Sequence, residues 1–394
     1  MTTMKQALLR VLFISTLLWR AVAFAPQVSQ DAFKRLETSL KKSDFALHAS
    51  NSNNDVNRRS LISLLGLGAL SPPPARASTV VKGPTYEQAI QNANPSVPLA
   101  DLPMIRLRLP GAGIGRDFIA IQLKVENEGP FNFMVDSGLT TELITPHLQQ
   151  SLGLGDKNSK SNIVKGLGAG GATQGGQLVR LDTASLCCGT FPNQGQTELN
   201  LPPLYAVVTD FPQETIDPNH KVEGMLGMEC LDYFDSDFDF AAGRFRLWAP
   251  GTAAAQAKKA GMIDIPAAVL NESGLLGIRV RTTQGAQPVI GIVDCGASFS
   301  AMNLKAAKIL GLPTDNASYR NEPAVQTLGV DGRPTMMPTK QVQLTYASNP
   351  TKGPDGSLQF GPTPPQWKAW DPVRVGVYDL PIFSDLLGDG KTPY

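Results

Sequence analysis

Two aspartates stand in similar surroundings in distant parts of the sequence. The first follows the apolar run Phe131–Val135 and opens Asp136-Ser137-Gly138, and the second follows Val289–Val293 and opens Asp294-Cys295-Gly296. Apolar runs of this length predict buried strands. Two carboxylates brought to within about 3 Å cannot both ionise, so they share one proton. One can then act as a general base towards water and the other as a general acid, which is chemistry suited to amide hydrolysis.

The similarity extends beyond the two tripeptides. Thr145 and Asn303 both lie nine residues after their aspartate, and Gly153 and Gly311 both lie seventeen residues after it. Thr and Asn are good N-cap residues, and Gly commonly ends a helix. The pattern in each half therefore predicts a strand, an aspartate turn and a short capped helix, in that order. We interpret this as an internal duplication of a lobe, and two lobes facing each other about a pseudo-twofold axis would bring the aspartates together.

At these residues the chain resembles the aspartic proteases, in particular the retropepsin-like and pepsin-like bilobal enzymes, over roughly residues 105–394. The resemblance implies a mainly β protein with two double-ψ-like β-barrel lobes and a short helix after each aspartate turn. It implies an endopeptidase that needs no cofactor and no metal, and that acts on a peptide or protein substrate. The implied catalytic residues are Asp136 and Asp294, and the implied supporting turn residues are Ser137, Gly138, Cys295 and Gly296.

The resemblance also assigns flaps and threading elements. Apolar residues before a glycine thread behind the catalytic turn, as Met225, Leu226 and Gly227 would in the first half and Leu386-Leu387-Gly388 in the second. A phosphate-binding loop is the alternative for the glycine-rich segment 165–177, but the Lys-Ser/Thr and the helix that such a loop needs are missing. The implied flap glycines are Gly166, Gly168, Gly170 and Gly171 in the first half and Gly329 and Gly332 in the second.

Three departures from the family pattern support an alternative function. Leu139 stands where the family usually has Thr, Ser or Ala, and Cys295 replaces a hydroxyl residue that helps to lock the turns together. Only Asp389–Tyr394 follows the second threading element, so we expect the second lobe to lack its closing strands. The alternative is a non-catalytic, protease-like protein that binds peptides.

The amino-acid composition argues against several other classes of protein. The 394 residues are 42% apolar with a formal charge of +1, which permits sizeable cores and gives no basic stripe for nucleic acid. Four cysteines do not make a disulfide framework, and the three scattered histidines show no zinc-ligand spacing. Because one chain supplies both aspartates, we expect a monomer.

The N-terminus is typical of targeting segments. A short apolar run, Val11–Trp19, follows Lys5 and Arg10 and precedes the cleavage-like Ala21-Val22-Ala23, and it is too short to span a membrane. Phe24-Ala25-Pro26 then resembles the plastid-targeting leaders of diatoms and related algae. The alternative is a simple secretory leader followed by a disordered linker.

A second leader follows the first. Arg58-Arg59, an apolar run and Ala75-Arg76-Ala77 resemble a twin-arginine signal. A buried helix explains Pro72-Pro73-Pro74 and the cleavage site poorly. We therefore expect a chloroplast protein of the thylakoid lumen, with secretion as the alternative, and no membrane span in the mature chain.

These patterns predict the following organisation. The insertion Ala347–Asp371 carries Trp367 and Trp370, for which we favour packing on the lobe over contact with a substrate or partner. The predicted segments are a signal peptide (1–23), a transit-like segment (24–57), a twin-arginine signal (58–77), a surface arm with a short helix (78–104), lobe 1 (105–250), a helical linker (251–263) and lobe 2 (264–394).

Overall fold

The computed structural model describes most of the chain after residue 82, and all of these residues belong to one compact unit. The described residues are 10–13, 83–107, 117–155, 163–167, 173–193, 195–210, 217, 219–270, 273–282, 287–328, 334–367, 369–380 and 382–383. Most of the predicted leader segments therefore lie outside the described residues.

The first half consists mainly of strands. Its strands are β1 (Arg10–Phe13), β2 (Ala100–Pro103), β3 (Ile105–Leu107), β4 (Phe118–Val125), β5 (Glu128–Val135), β6 (Glu142–Ile144), β7 (Ile163–Leu167), β8 (Thr173–Leu181), β9 (Ala184–Cys187), β10 (Glu198–Asn200), β11 (Leu204–Val208), β12 (Val222–Leu226), β13 (Asp235–Asp239) and β14 (Arg244–Trp248).

The second half has shorter strands, and short helices occur in both halves. The second-half strands are β15 (Ala267–Val269), β16 (Leu276–Thr282), β17 (Val289–Ile292), β18 (Ala301–Met302), β19 (Ala324–Leu328), β20 (Pro334–Val342), β21 (Leu344–Tyr346), β22 (Thr351–Lys352), β23 (Leu358–Gln359) and β24 (Val373–Val377). The helices are α1 (Tyr86–Gln91), α2 (Pro146–Leu152), α3 (Met228–Leu231), α4 (Ala253–Lys259) and α5 (Leu304–Ile309), with a 3₁₀ turn at Asn316–Tyr319.

Most strands of the first half join one large sheet. Its order is β10-β9-β4-β5-β12-β6-β11-β8-β7, with β3 paired to β4. Strand β12 is inserted between β5, to which it is parallel, and β6, to which it is antiparallel. The end of the first aspartate strand is thus held on both sides, by β4 and by β12.

The same order of pairings occurs in both halves. In the first, β6 pairs in parallel with β11, which pairs with β8, and β8 pairs with β7. In the second, β18 pairs in parallel with β24, which pairs with β20, and β20 pairs with β19. Each half therefore places one strand hairpin, β7–β8 or β19–β20, in the same position relative to its aspartate turn.

Apolar side chains on the strands form the core of each half. Phe133, Ile121, Leu123 and Ile144 are almost fully buried in the first core. A smaller core in the second half includes Val289, Leu310 and Val375. The mainly β fold that the resemblance implies is confirmed.

The helix after each aspartate turn has the predicted N-cap. The Thr145 side chain accepts a hydrogen bond from the Leu148 amide at the start of α2, with Pro146 as the first helical residue. Asn303 accepts one from the Ala306 amide in α5. Gly153 ends α2 in a left-handed conformation (φ 61°), which favours glycine.

Some segments differ from the sequence-based expectation. Residues 100–103 were assigned to the surface arm, but they form β2, which pairs with β14, and Ala100 and Leu102 are buried. Strands β10 and β11 are separate because Pro202 and Pro203, between them, have no amide hydrogen to donate to a ladder. Backbone of Arg10–Phe13, within the predicted signal peptide, pairs with β13.

Other expectations agree with the structure. Helix α1 lies within the range predicted for it, and α4 occupies the predicted linker. In the insertion Ala347–Asp371, Trp367 is buried and Trp370 packs edge-on against Tyr346 at 5.2 Å between ring centroids, so both tryptophans pack on the lobe. The longest described helices have seven residues, and none of them reaches across a lipid bilayer.

We predict that Gly224→Ala destabilises the first half. A Cβ atom at residue 224 in β12 would lie 2.2 Å from a ring carbon of Phe133 and 2.7 Å from the Leu143 carbonyl oxygen, neither of which can move freely in the core. Overpacking of this kind costs about 1–3 kcal/mol or more. Urea unfolding should show the loss, whereas Gly291→Ala in β17, where the nearest atom is 3.8 Å away, should unfold like the parent protein. Equal stability of the two variants would contradict the packing described here.

Candidate active site

The first aspartate turn is held by backbone hydrogen bonds. Asp136 follows β5, and its amide donates to the carbonyl oxygen of Leu226 on β12 at 2.9 Å. The amide of Gly138 donates to Oδ1 of Asp136 at 2.8 Å. The carboxyl group is therefore fixed by its own turn rather than by a flexible side-chain partner.

The second turn repeats this local geometry. Asp294 follows β17 and Val293, and the Gly296 amide donates to Oδ1 of Asp294 at 2.8 Å. Asp136 is half-buried, whereas Asp294 is exposed but has its carboxyl against Gly138 of the opposite turn. The carboxyl of each aspartate is thus oriented by the amide of the glycine two residues further along the chain.

Residues 137 and 295 connect the two turns reciprocally. The Ser137 hydroxyl donates to the Val293 carbonyl oxygen at 2.8 Å and accepts from the Cys295 amide at 2.9 Å. The Cys295 thiol donates to the Val135 carbonyl oxygen at 3.4 Å and accepts from the Ser137 amide at 3.3 Å. Each side chain therefore bonds the backbone of the opposite turn, with sulfur providing the longer and weaker pair of contacts.

Glycine is required at two positions by the close approach of the turns. A Cβ atom at Gly138 would lie 2.5 Å from the carboxyl carbon of Asp294, and one at Gly296 would lie 2.2 Å from that of Asp136. No rearrangement of a flexible side chain could relieve both clashes, because each carboxyl is fixed by its turn. The predicted supporting residues Ser137, Gly138, Cys295 and Gly296 are thus brought together around the two aspartates.

The carboxyls of Asp136 and Asp294 lie close together, each against the glycine of the opposite turn. Burial raises the pKa of Asp136 well above its ordinary value, and the neighbouring negative charge of Asp294 raises it further. Burial also raises the pKa of Asp294, opposed by the hydrogen bond from Asp136 and by backbone amides. Because two ionised carboxylates this close would repel each other, these effects favour a proton held on Asp136.

The first predicted threading element lies behind this site. Met225 and Leu226 are buried in β12, and Gly227 follows. A Cβ atom at Gly227 would lie 2.8 Å from the carbonyl oxygens of both Leu139 and Thr141, so only glycine fits this crossing. Leu139, one of the departures from the family pattern, packs on the apolar cluster that contains Met134, and its carbonyl accepts from the Met228 amide at 2.8 Å.

The flap predictions are only partly within the described residues. Gly166 lies in β7 of the hairpin β7–β8, and this hairpin is incompatible with the helix that a phosphate-binding loop needs. The hairpin β19–β20 is its counterpart in the second half. The other predicted glycines, Gly168, Gly170, Gly171, Gly329 and Gly332, lie outside the described residues, as does Leu386-Leu387-Gly388.

Sequence reasoning missed a second carboxyl pair close to the first. Glu142 is fully buried in β6, and Glu229 is half-buried in α3, two residues after the threading glycine. The only signal in the sequence is a glutamate in an otherwise apolar strand, which does not identify its partner. In the part of the chain that the structure describes, no cluster of three or more His, Cys, Asp or Glu residues could hold a metal ion.

Comparison with known proteins finds one similar family. Residues 121–230 match a family model described as aspartyl protease. The matched segment contains Asp136 and the first threading element. It ends before Asp294.

The remaining comparisons add little. No curated protein matches the sequence. A solved structure of an aspartic proteinase from Irpex lacteus is 13% identical, with 71% of this chain and 86% of that chain covered and a TM-score of 0.26. Because that score is below 0.5, no argument rests on this likeness.

We predict that the lock between the turns depends more on Ser137 than on Cys295. Ser137→Ala leaves the buried Cys295 amide without its acceptor and should cost about 1–3 kcal/mol of unfolding free energy. Cys295→Ser supplies a stronger hydrogen-bonding group at the same place and should retain or raise stability, whereas Cys295→Ala should lower it. Urea unfolding of the three variants measures this order. A Ser137→Ala variant as stable as the parent would contradict the lock.

Proposed function

We propose that this chain is an aspartic-type endopeptidase of the retropepsin-like and pepsin-like kind. The observation that carries the proposal is the reciprocal packing of each aspartate carboxyl against the glycine of the opposite turn. This packing lets two carboxyls from distant parts of one chain share a proton, and a single chain therefore suffices for the site.

The chemistry follows from the unequal roles of the two carboxyls. A water molecule between them loses a proton to the ionised carboxyl, assigned here to Asp294, as its oxygen attacks the peptide carbonyl carbon. The protonated carboxyl, assigned to Asp136, donates its proton to the carbonyl oxygen. Transfer of a proton to the amide nitrogen then lets the carbon–nitrogen bond break and releases an amine and a carboxylic acid.

The two strand hairpins supply the proposed substrate contacts. A peptide bound in extended form can pair its backbone with strand edges, which gives affinity with little dependence on sequence. Hairpins β7–β8 and β19–β20 occupy matching positions in the two halves, in keeping with flaps that cover such a peptide. The proposed flap glycines remain those predicted from the sequence.

The alternative is a non-catalytic protein that binds peptides. It is favoured by the sulfur contacts of Cys295, which are longer than those of Ser137 and leave one side of the lock weaker. The two functions differ in turnover alone, so the experiment below distinguishes them.

We also propose that the protein acts in the thylakoid lumen of a plastid. The two leaders in series support this location, and an illuminated lumen is acidic, which suits a pair that must keep one proton. Fusion of residues 1–77 to a fluorescent protein in a diatom would test it, with residues 58–77 deleted in a control. Secretion of the fusion would contradict the proposed location.

The first test is hydrolysis of denatured protein by the purified full chain and by Asp136→Asn and Asp294→Asn. Removal of either carboxyl should abolish cleavage, a loss of about 10²-fold or more, because a general acid or base is lost. Asp264→Asn, at an exposed aspartate, is the matched control and should cleave like the parent. Far-ultraviolet circular dichroism confirms that each variant folds. Cleavage that survives in either site variant would refute the proposed mechanism.

We predict that the rate of hydrolysis is highest at an intermediate pH. Hydrolysis needs one proton on the pair, so the rate should fall at low pH, where both carboxyls are protonated, and at high pH, where the proton leaves. The raised pKa of Asp136 moves the high-pH limb above the ordinary aspartate value of about 3.9. Measurement of kcat against pH should give a bell-shaped curve. A rate that rises steadily to alkaline pH would contradict the shared proton.

A further inference from the structure

The second carboxyl pair, Glu142 and Glu229, has no part in the mechanism above. The Cys230 amide donates to Oε1 of Glu142 at 2.9 Å, and the Thr141 hydroxyl donates to Oε2 of Glu229 at 3.1 Å. Oε2 of Glu142 is buried and has no donor as long as both carboxyls are ionised. A buried acceptor without a partner is costly, so this oxygen needs an explanation.

A proton on Glu142 supplies that explanation. The Cys230 amide that binds Glu142 belongs to the residue after Glu229, so the two glutamates are neighbours. A protonated carboxyl is a hydrogen-bond donor whereas an ionised one is not. Burial raises the pKa of Glu142 well above its ordinary value, with the charge of Glu229 as the next cause. Burial likewise raises the pKa of Glu229, opposed by hydrogen bonds from Thr141 and Glu142.

Among the residues that the structure describes, no positive charge offsets the pair. The titratable groups that face Glu142 are Glu229 and the buried Cys230 thiol, whose own pKa is raised by burial and by both carboxyls. Among the residues described, no lysine, arginine or histidine forms an ion pair with either glutamate. Loss of the proton would therefore leave two uncompensated negative charges in contact inside the protein.

The position of the pair connects it to the site. The Asp136 amide bonds to the Leu226 carbonyl and the Met228 amide bonds to the Leu139 carbonyl, so two backbone bonds join the aspartate turn to the end of β12. Glu142 and Glu229 lie just beyond these bonds on the two joined segments. Repulsion between their carboxylates would therefore strain these two backbone hydrogen bonds.

We propose that Glu142 and Glu229 are positioning residues that share a second proton and hold the Asp136 turn against β12 only while that proton is bound. The folded first half is then stabilised in acid by a site separate from the aspartate pair. The consequence for peptide hydrolysis rests on the proposed function, but the proton and its effect on stability do not.

The sign of the pH dependence follows from the folded and unfolded states. An unfolded glutamate loses its proton near its ordinary pKa of about 4.3, whereas the folded pair retains one at higher pH. The stabilisation is therefore complete below about pH 4.3 and declines as the pH rises towards the raised pKa of the pair. Glu142→Gln keeps a donor towards Glu229 and an acceptor for the Cys230 amide, but it cannot titrate.

The test uses the full chain carrying Asp136→Asn, so that the aspartate pair cannot share a proton and the protein does not digest itself. Urea unfolding between about pH 4.3 and pH 8 gives the slope of unfolding free energy against pH, which counts protons bound. Adding Glu142→Gln should lower the number of protons bound by the folded state by about one and so flatten the slope. Adding Glu128→Gln, at an exposed glutamate of β5, should leave it unchanged. Equal slopes in all three proteins would overturn the proposal.

A second measurement needs no substitution at the pair. Carbon-13 spectra of the side-chain carboxyls in the Asp136→Asn protein should contain a glutamate that titrates well above the ordinary value. Titration of every glutamate at or below that value would overturn the proposal even if Glu142→Gln failed to fold. If the parent chain is a peptidase, its high-pH loss of kcat reflects both carboxyl pairs, so Glu142→Gln should move that limb to higher pH without abolishing it, with KM unchanged. An inactive parent would refute the proposed function and leave both stability measurements intact.

Discussion

The structure depends on one constraint, which is that two acidic groups must be held in contact without a cation to neutralise them. Asp136 and Asp294 repel each other when both are ionised, so their contact has to be enforced by the surrounding backbone. The enforcement comes from Ser137 and Cys295, which bond across the two turns, and from glycines that leave space for the opposing carboxyl. The sheets behind the turns supply the rigidity that this arrangement requires.

The residues around the aspartates could be predicted from the sequence because their constraints are local. A hydroxyl or amide cap, a glycine after a helix and an apolar strand before a turn each follow from the conformation of a few residues. Thr145, Asn303 and Gly153 were identified in this way, and their roles are confirmed. Repetition of the same local features at equal distances then indicated which two turns belong together.

The parts that could not be predicted depend on contacts between distant segments. Nothing near Glu142 in the sequence indicates that Glu229 lies beside it. Helix α3 is brought to β6 by β12, the strand that precedes α3 and pairs with β6. Residues 100–103 end the predicted surface arm, but they form a strand with Ala100 and Leu102 buried because they pair with β14. In both cases tertiary pairing overrides a local pattern.

The reciprocal contacts between the turns also determine how substitutions combine. Gly138 packs against Asp294, 156 positions away, and Gly296 packs against Asp136, 160 positions away. Ser137 and Cys295 each bond the backbone of the other's turn. Residues that share an interaction do not contribute to stability independently, so effects of changes in the two turns should not add. The two tripeptides therefore behave as a single unit under mutation, and a change tolerated in one turn depends on which residue occupies the other.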